Sequence, residues 1–352
     1  LLKCAPRQVR YSGDAAPPQN GASLTSDRFK RWQAESREIE RLTPIFVVGP
    51  NKCGTTWMYR TLAAHPHVAG LGGETLLWSH RLSAFEGALG EFLRPTTKRF
   101  PKHELLEVPV EDFDPVRRQL LDRIILAGLE RAGRRADPSL CAFVEKTPGH
   151  AQHILAIHRL YPSAKFICCT RDVRDAAVSA WKHFQITNEW VKHQTIGEFA
   201  LKYLVDMWTP NMRSARYAAQ RLPEGRYLEV AYEARHEQGR EGIIALLRFL
   251  GLDTTDESVD ACAVGAAFES FSGGRNAGEE AKHFLRKGTP GDWVNHMTTE
   301  FGGALVDLAN ESLGKWKDPS DSHPIAMPCK QSQADHLQSI GSGFKRAPSS
   351  IR

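Results

Sequence analysis

The segment Val47-Val-Gly49-Pro-Asn-Lys52-Cys53-Gly54-Thr55-Thr56-Trp57 constrains this chain more than any other stretch. An apolar, β-branched run, Ile45 to Val48, stops at a glycine, and a helix-compatible stretch opens at Thr55 after a second glycine. A strand that turns tightly into a helix brings unhindered backbone N–H groups and the positive end of the helix to one point. Lys52 and the hydroxyls of Thr55 and Thr56 stand at that same turn, so the segment suits a phosphate-like anion. The spacing of Gly49 and Gly54 matches an ATP-binding loop, but Thr55-Thr56 follows the second glycine where such loops carry Lys-Ser or Lys-Thr. The lysine has moved inside the loop, which argues against a magnesium-dependent NTPase.

Two further runs, Phe166 to Cys169 and Tyr227 to Val230, are each followed by a helix-compatible stretch. This alternation predicts an α/β fold, a single domain with a central parallel sheet flanked by helices. Leu120, Leu121, Ile124, Ile125 and Leu129 fall at helical spacing between Val116 and Arg131, with Arg117, Arg118, Arg123 and Arg131 expected on a solvated face. The domain is expected over residues 42–318, after a leader at 1–41 whose stretch from Asp27 to Leu42 is charged and helix-compatible. Residues 319–352, rich in Pro, Ser, Gln and Lys, read as a tail. No internal repeat of solenoid period interrupts this plan.

Composition narrows the function by exclusion. With 41% hydrophobic and 25% charged residues the chain has material for a sizeable core. No apolar run approaches the roughly 18 residues that a membrane span requires. A net charge of +5 spread over 46 basic and 41 acidic residues makes no case for nucleic acid and suits a small anionic ligand. The expected location is cytoplasmic, although the chain starts at Leu1 and a leader or anchor before it is left open. Seven cysteines without a CxxC pair read as reduced thiols, with Cys168 and Cys169 as small core residues. No metal is expected, since His150, His153 and His158 read as residues that cap or line a helix.

At the anion loop the sequence resembles the sulfotransferases that use 3′-phosphoadenosine 5′-phosphosulfate (PAPS). Their 5′-phosphosulfate loop reads Pro-Lys-Ser-Gly-Thr-Thr-Trp, where this chain has Asn51-Lys52-Cys53-Gly54-Thr55-Thr56-Trp57. The stretch Phe166-Ile-Cys-Cys-Thr-Arg171-Asp172-Val-Arg174-Asp175-Ala-Ala-Val-Ser179 looks like the family's 3′-phosphate motif, and Arg171 and Ser179 keep its spacing. Guanidinium suits a bidentate phosphate contact. Arg174 is expected instead in a surface ion-pair cluster with Asp172 and Asp175. Phe284-Leu-Arg286-Lys287-Gly288-Thr-Pro-Gly291-Asp292-Trp293 is similar to the family's Arg-Lys-Gly…Gly-Asp-Trp signature. The resemblance implies a P-loop-NTPase-like sulfotransferase fold. It also implies nucleotide contacts from Lys52 to Trp57, Arg171, Ser179, Arg286, Lys287 and Gly288, with Tyr232 and Phe268 beside Trp57 around the adenine. One departure is Ala266, where cytosolic relatives commonly place a hydroxyl residue.

The reaction implied moves the sulfuryl group of PAPS to an acceptor hydroxyl, leaves 3′-phosphoadenosine 5′-phosphate (PAP), and needs no metal. Glu74, past the helix that follows the loop, is similarly placed to the general base of the Golgi glycan and protein-tyrosine sulfotransferases. Glu145-Lys146-Thr147-Pro148 resembles the glycan enzymes' Glu-Lys-Ser/Thr segment, which would set Lys146 beside Lys52 at the transferring group. Cytosolic relatives read Lys-Thr-His there with histidine as base. Pro148 takes that place here, and His150 is a reserve candidate. The expected partner is a small-molecule or glycan acceptor, with walls between His80 and Val110 and between Gln185 and Pro210, where Trp190, Phe199, Tyr203 and Trp208 lie. A homo-oligomer is compatible with the sequence. The rival readings are a P-loop kinase, which would need Mg²⁺ on a loop hydroxyl and a strand-end aspartate, and a catalytically silent nucleotide-binding module.

Overall fold

The structure, a computed structural model, describes residues 21–78, 110–278 and 287–314. Its centre is a five-stranded sheet of β1 (Thr43–Val48), β2 (Val68–Gly70), β3 (Ala142–Lys146), β4 (Lys165–Thr170) and β5 (Tyr227–Ala231). The strands lie in the order β2-β3-β1-β4-β5 and every pairing is parallel. Ile45, Phe46, Val47 and Val48 are all buried, without alternation, as a central strand covered on both faces requires. Val47 stands level with Lys146 on one side and Ile167 on the other. The carboxyl ends of β1, β3 and β4 therefore finish together. The chain places β2 and β3 on one side of β1 and then crosses to β4 on the other, and a crevice forms where a parallel sheet reverses in this way.

The helices are α1 (Gly21–Glu40), α2 (Thr55–Ala63), α3 (Asp114–Arg131), α4 (Ile154–Leu160), α5 (Val173–Thr187) and α6 (Glu189–Lys192). They continue with α7 (Ile196–Tyr203), α8 (Thr209–Ala219), α9 (Ala234–Leu250), α10 (Asp256–Ala266), α11 (Phe268–Ser272) and α12 (Thr299–Gly314). Helix α2 packs on α10 and β3, while α5 packs against α7 and α12. Within the stretch read as a leader, α1 lies against α3 and its Ile39 joins the core. Among the described residues no helix is long and apolar enough to cross a membrane. Phe46 sits at the middle of the packing, stacked on Phe166 at 5.7 Å between ring centres and edge-on to Trp78 at 5.6 Å. Cys168 and Cys169 are buried free thiols in β4. Strands β2 and β3 are additions to the three that the apolar runs predict.

The expected helix at Val116 to Arg131 is present, but its arginines do not share one solvated face. Arg117 is buried and pairs with Asp114 at 2.9 Å. Arg118 bonds Asp122 at 2.8 Å and lies over the Tyr161 ring at 4.1 Å. Arg117 falls one turn before the buried Leu121, whereas Leu120 faces solvent, so the apolar stripe is rotated from the one the spacing suggested. A long arginine can bury its stem where its head finds acceptors.

Gly49, where β1 ends, has φ of 132°, and a Cβ there would lie 2.3 Å from the Cys169 carbonyl oxygen. Neither the dihedral nor the contact tolerates a side chain, and the obstructing atom is the backbone of an adjacent strand. Gly49→Ala is expected to destabilise the protein by about 3 kcal/mol or more. Urea denaturation of the variant beside Gly303→Ala, an open helical position, checks this.

Candidate active site

The turn after β1 is built around unusual backbone. Lys52 has φ of 71°, a left-handed conformation seldom adopted by a residue with a side chain, and Gly54 follows at 90°. A Cβ at Gly54 would stand 2.5 Å from the Tyr232 ring, so only glycine lets the aromatic close over the loop. The loop is held from below by Tyr203, whose hydroxyl donates to the Asn51 carbonyl at 2.5 Å. Helix α2 begins directly at Thr55, and the N–H groups of its first turn have no carbonyl four residues back to bond. Burial first, and then the charges of Arg171 and Lys146, pull the Lys52 ammonium down to about 7. Glu74 acts in the opposite direction.

Arg171 leaves the end of β4 and joins three segments. Its guanidinium donates to the Lys52 carbonyl at 3.4 Å and the Thr289 carbonyl at 3.3 Å, and lies over the Tyr232 ring at 4.5 Å. The side chain is only 9% exposed, yet its Nε has no hydrogen-bond partner among the described residues. A buried guanidinium N–H that the protein leaves unpaired, beside an anion loop, is a donor suited to an anionic ligand. On the far wall, Tyr232 donates its hydroxyl to the Gly288 carbonyl at 3.0 Å. Gly288 is pressed on the Phe268 ring, 2.7 Å from where a Cβ would stand. Lys287 bonds Asp292 at 2.6 Å. Trp57 meets Tyr232 edge-on at 6.4 Å.

A second set of bonds fixes the carboxylate side. Glu145, buried in β3, accepts from the hydroxyls of Thr75 and Thr147 at 2.6 Å each and faces His150 Nδ1 at 3.0 Å. Burial alone would push its carboxyl up. The His150, Thr147 and Thr75 contacts outweigh that and hold it below the usual carboxylate range. The segment after β2 is thereby tied to β3, and the chain neighbours of Thr75 and Glu145 meet in turn: Lys146 Nζ donates to Glu74 Oε1 at 2.6 Å. Lys146 is 9% exposed and Glu74 is 40% exposed, so the carboxylate is reachable from the cleft while the lysine lies beneath it.

Of the residues singled out in the sequence, Lys52, Gly54, Thr55, Thr56, Trp57, Glu74, Arg171, Ser179, Tyr232, Phe268, Lys287 and Gly288 line one cleft. Lys146 reaches it through Glu74. Cys53 points away into the core, where burial pushes its thiol up to about 12, so any contact it offers is through its backbone. Arg286 and most of the expected acceptor wall at 80–110 lie outside the described residues. His150 is fully buried, with Nδ1 on Glu145 and Nε2 accepting from the Trp78 N–H at 3.2 Å, which removes it as a reserve base. Phe199, Tyr203 and Trp208 are not acceptor walls either: all three are buried, the first two because α7 turns its apolar face to α5, and Trp208 in the helical turn that follows α7. Trp190 is exposed.

The cleft also holds His183, Phe184, Pro148 and Thr289, which the sequence reading did not select. His183 stands one helical turn after Ser179 on α5, and that spacing was available as a signal. Burial and the nearby Lys52 charge draw its imidazole below the ordinary range. Asp175, expected in a surface cluster, is buried at the foot of the same helix.

Comparison with known proteins places this geometry. The model of the sulfotransferase family matches residues 44–256. A putative protein-tyrosine sulfotransferase of Caenorhabditis briggsae is 28% identical over 215 residues, 60% of this chain and 67% of that protein. Sulfotransferase 1E1 of Cavia porcellus is 26% identical over 149 residues, 38% of this chain, and the match spans about half (49%) of the guinea-pig protein. Among solved structures, mouse sulfotransferase SULT7A1 complexed with PAP aligns over 78% of this chain and 85% of its own, with a TM-score of 0.48 and 16% identity. The family match covers the anion loop, the sheet, Glu74, Lys146 and the Arg171 helix together, and the chain belongs to the sulfotransferase family.

Proposed function

We propose that the chain transfers the sulfuryl group of PAPS to an acceptor hydroxyl of a small molecule, glycan or tyrosine side chain. The observation that carries this is the buried Arg171, with its unanswered Nε, set among Lys52, Ser179 and Lys287 around one cleft. Two anionic groups of one nucleotide fit that distribution: Lys52 and the start of α2 at one end, Arg171, Ser179 and Lys287 at the other. Trp57, Tyr232 and Phe268 supply flat apolar surfaces in the same cleft for the base. The co-substrate supplies an activated sulfuryl group on a good leaving group. The chain's own residues orient it, offset charge and accept a proton.

In the proposed step the acceptor O–H bond breaks, a new O–S bond forms, and the S–O bond to the 5′-phosphate breaks, its electron pair leaving with PAP. Glu74 takes the acceptor's proton, being the carboxylate that opens on the cleft. Lys52 and Lys146 both lie near it and offset the charge that develops on the bridging oxygen. The same carboxylate holds Lys146 at rest, so orientation of the lysine and acceptance of the proton fall to one residue.

If the nucleotide carries a 3′-phosphate, PAP should raise the melting temperature without added Mg²⁺, and ADP should do so far less. Equal shifts, or a strict need for Mg²⁺, would overturn the reading in favour of an NTPase. The acceptor class is found by incubating the chain with PAPS and panels of phenols, sugars, steroids and tyrosine peptides, read as gain of sulfate mass.

Glu74→Gln should lower turnover by about 100- to 10,000-fold while PAP affinity stays nearly unchanged, since glutamine keeps the shape but accepts no proton. Lys52→Ala should weaken both. Initial rates at saturating PAPS beside calorimetric PAP affinities separate the two outcomes.

Lys52 also makes a pH prediction. Its ammonium lies near 7, and an adjacent phosphate raises it, so between the two values binding takes up a proton. PAP affinity should therefore fall as pH rises above 7. Calorimetry at pH 8 in buffers of different ionisation enthalpy should show uptake of about one proton, fading toward zero below pH 6 and lost in Lys52→Ala.

A further inference from the structure

The stretch from Lys287 to Trp293 approaches the cleft as a loop between the residues before it and a short 3-10 turn at Asp292–Asn295. Its first half is held at Gly288 by Tyr232 and at Thr289 by Arg171, and its second half is held by Asp175, in the first turn of α5. That carboxylate is 2% exposed. One oxygen accepts from the Gly291 N–H at 2.5 Å and the other from the Trp293 N–H at 2.9 Å. The first oxygen also stands 3.9 Å from Arg171 Nη2. Trp293 is then gripped from two sides, with the Arg174 guanidinium 4.0 Å from its ring centre and Gly302 of α12 against its edge. Asp292 ties Lys287, Asn295 and His296 to one another within the loop.

We infer that Asp175 is a positioning residue that sets the site's preference for a 3′-phosphorylated nucleotide, by latching the Lys287–Gly288 loop onto the helix that carries Ser179. The inference rests on the proposed function, which puts Arg171, Ser179 and Lys287 at that phosphate. Asp175 itself does not line the cleft. It acts by holding two backbone N–H groups of one wall and one guanidinium of the other at a fixed separation.

Two effects of removing its charge oppose each other. Taking a negative charge from beside an anion site favours anion binding by Coulomb attraction. Losing the latch lets the lysine wall drift and disfavours it. The latch dominates because the carboxylate's charge is already offset by Arg171 and two N–H donors, leaving little field for a ligand to feel. Asparagine has one acceptor oxygen, and its amide would turn N–H toward N–H at the other bond.

The test measures PAP and ADP affinities by calorimetry for the wild type, Asp175→Asn and Gly291→Ala, with amide hydrogen exchange at Gly291 and Trp293. Gly291 has φ of 83° with open space around it, so alanine there strains only the loop and leaves α5 and the core untouched. In both variants PAP affinity should fall about tenfold or more while ADP affinity changes less than about twofold, and the two amides should exchange faster in Asp175→Asn. If both nucleotides weaken alike, Asp175 is merely structural; if PAP binding is unchanged or tighter, the latch does not set the preference. Either result overturns the inference while leaving the proposed function standing. A wild type that binds ADP as tightly as PAP overturns the proposed function, and the preference with it.

Discussion

The site hangs on one guanidinium. Arg171 reaches the carbonyl of Lys52, the carbonyl of Thr289 and the face of Tyr232, so the turns after β1 and β5 and the loop at Thr289 meet on one cation. A planar, permanently charged group with a rigid fork of donors can do this, whereas an ammonium would satisfy the same carbonyls without fixing their planes. The arrangement also leaves Nε buried and unanswered by the protein, which costs free energy unless an acceptor meets it.

Opposite it, the buried Glu145 does for the carboxylate side what Arg171 does for the cationic side. Bonds from Thr75, Thr147 and His150 clamp a segment without regular structure onto β3, and Glu74 and Lys146 meet as a result. Both hubs lie at carboxyl ends of parallel strands, where the crossing of the chain over β1 opens the sheet. Function is placed there because backbone ends diverge and leave room that side chains on the strands themselves never have.

Much of this was legible before the structure. The strand, glycine turn and helix at Gly49 to Trp57 declare an anion site locally, since positive φ and close approach are demands on single residues. Arg171, Ser179 and Lys287 could be named because they sit in short segments of distinctive order. Less legible were the partners. Nothing in the spacing of the chain says that Tyr203 supports Asn51, that His150 is consumed by Glu145, or that Arg117 is buried while Leu120 is not. The aromatic residues Phe199 and Trp208 looked like an acceptor wall, but both are buried, Phe199 where α7 packs against α5 and Trp208 in the turn after α7.

The sequence by itself determined the parallel α/β plan and singled out residues that the structure gathers on one cleft, because strand pattern, turn glycines and charged residues beside them act over a few neighbouring positions. Tertiary structure decided which charges stay available. Glu74 opens on the cleft while Glu145 and Asp175 are buried as anchors, and the three carboxylates are chemically the same in a string of letters. What separates them is how many N–H and O–H donors the packing brings to each. Thr75, Gly291 and Trp293 donate from segments far along the chain, so only the folded arrangement could assign one carboxylate to the cleft and the other two to holding it in shape.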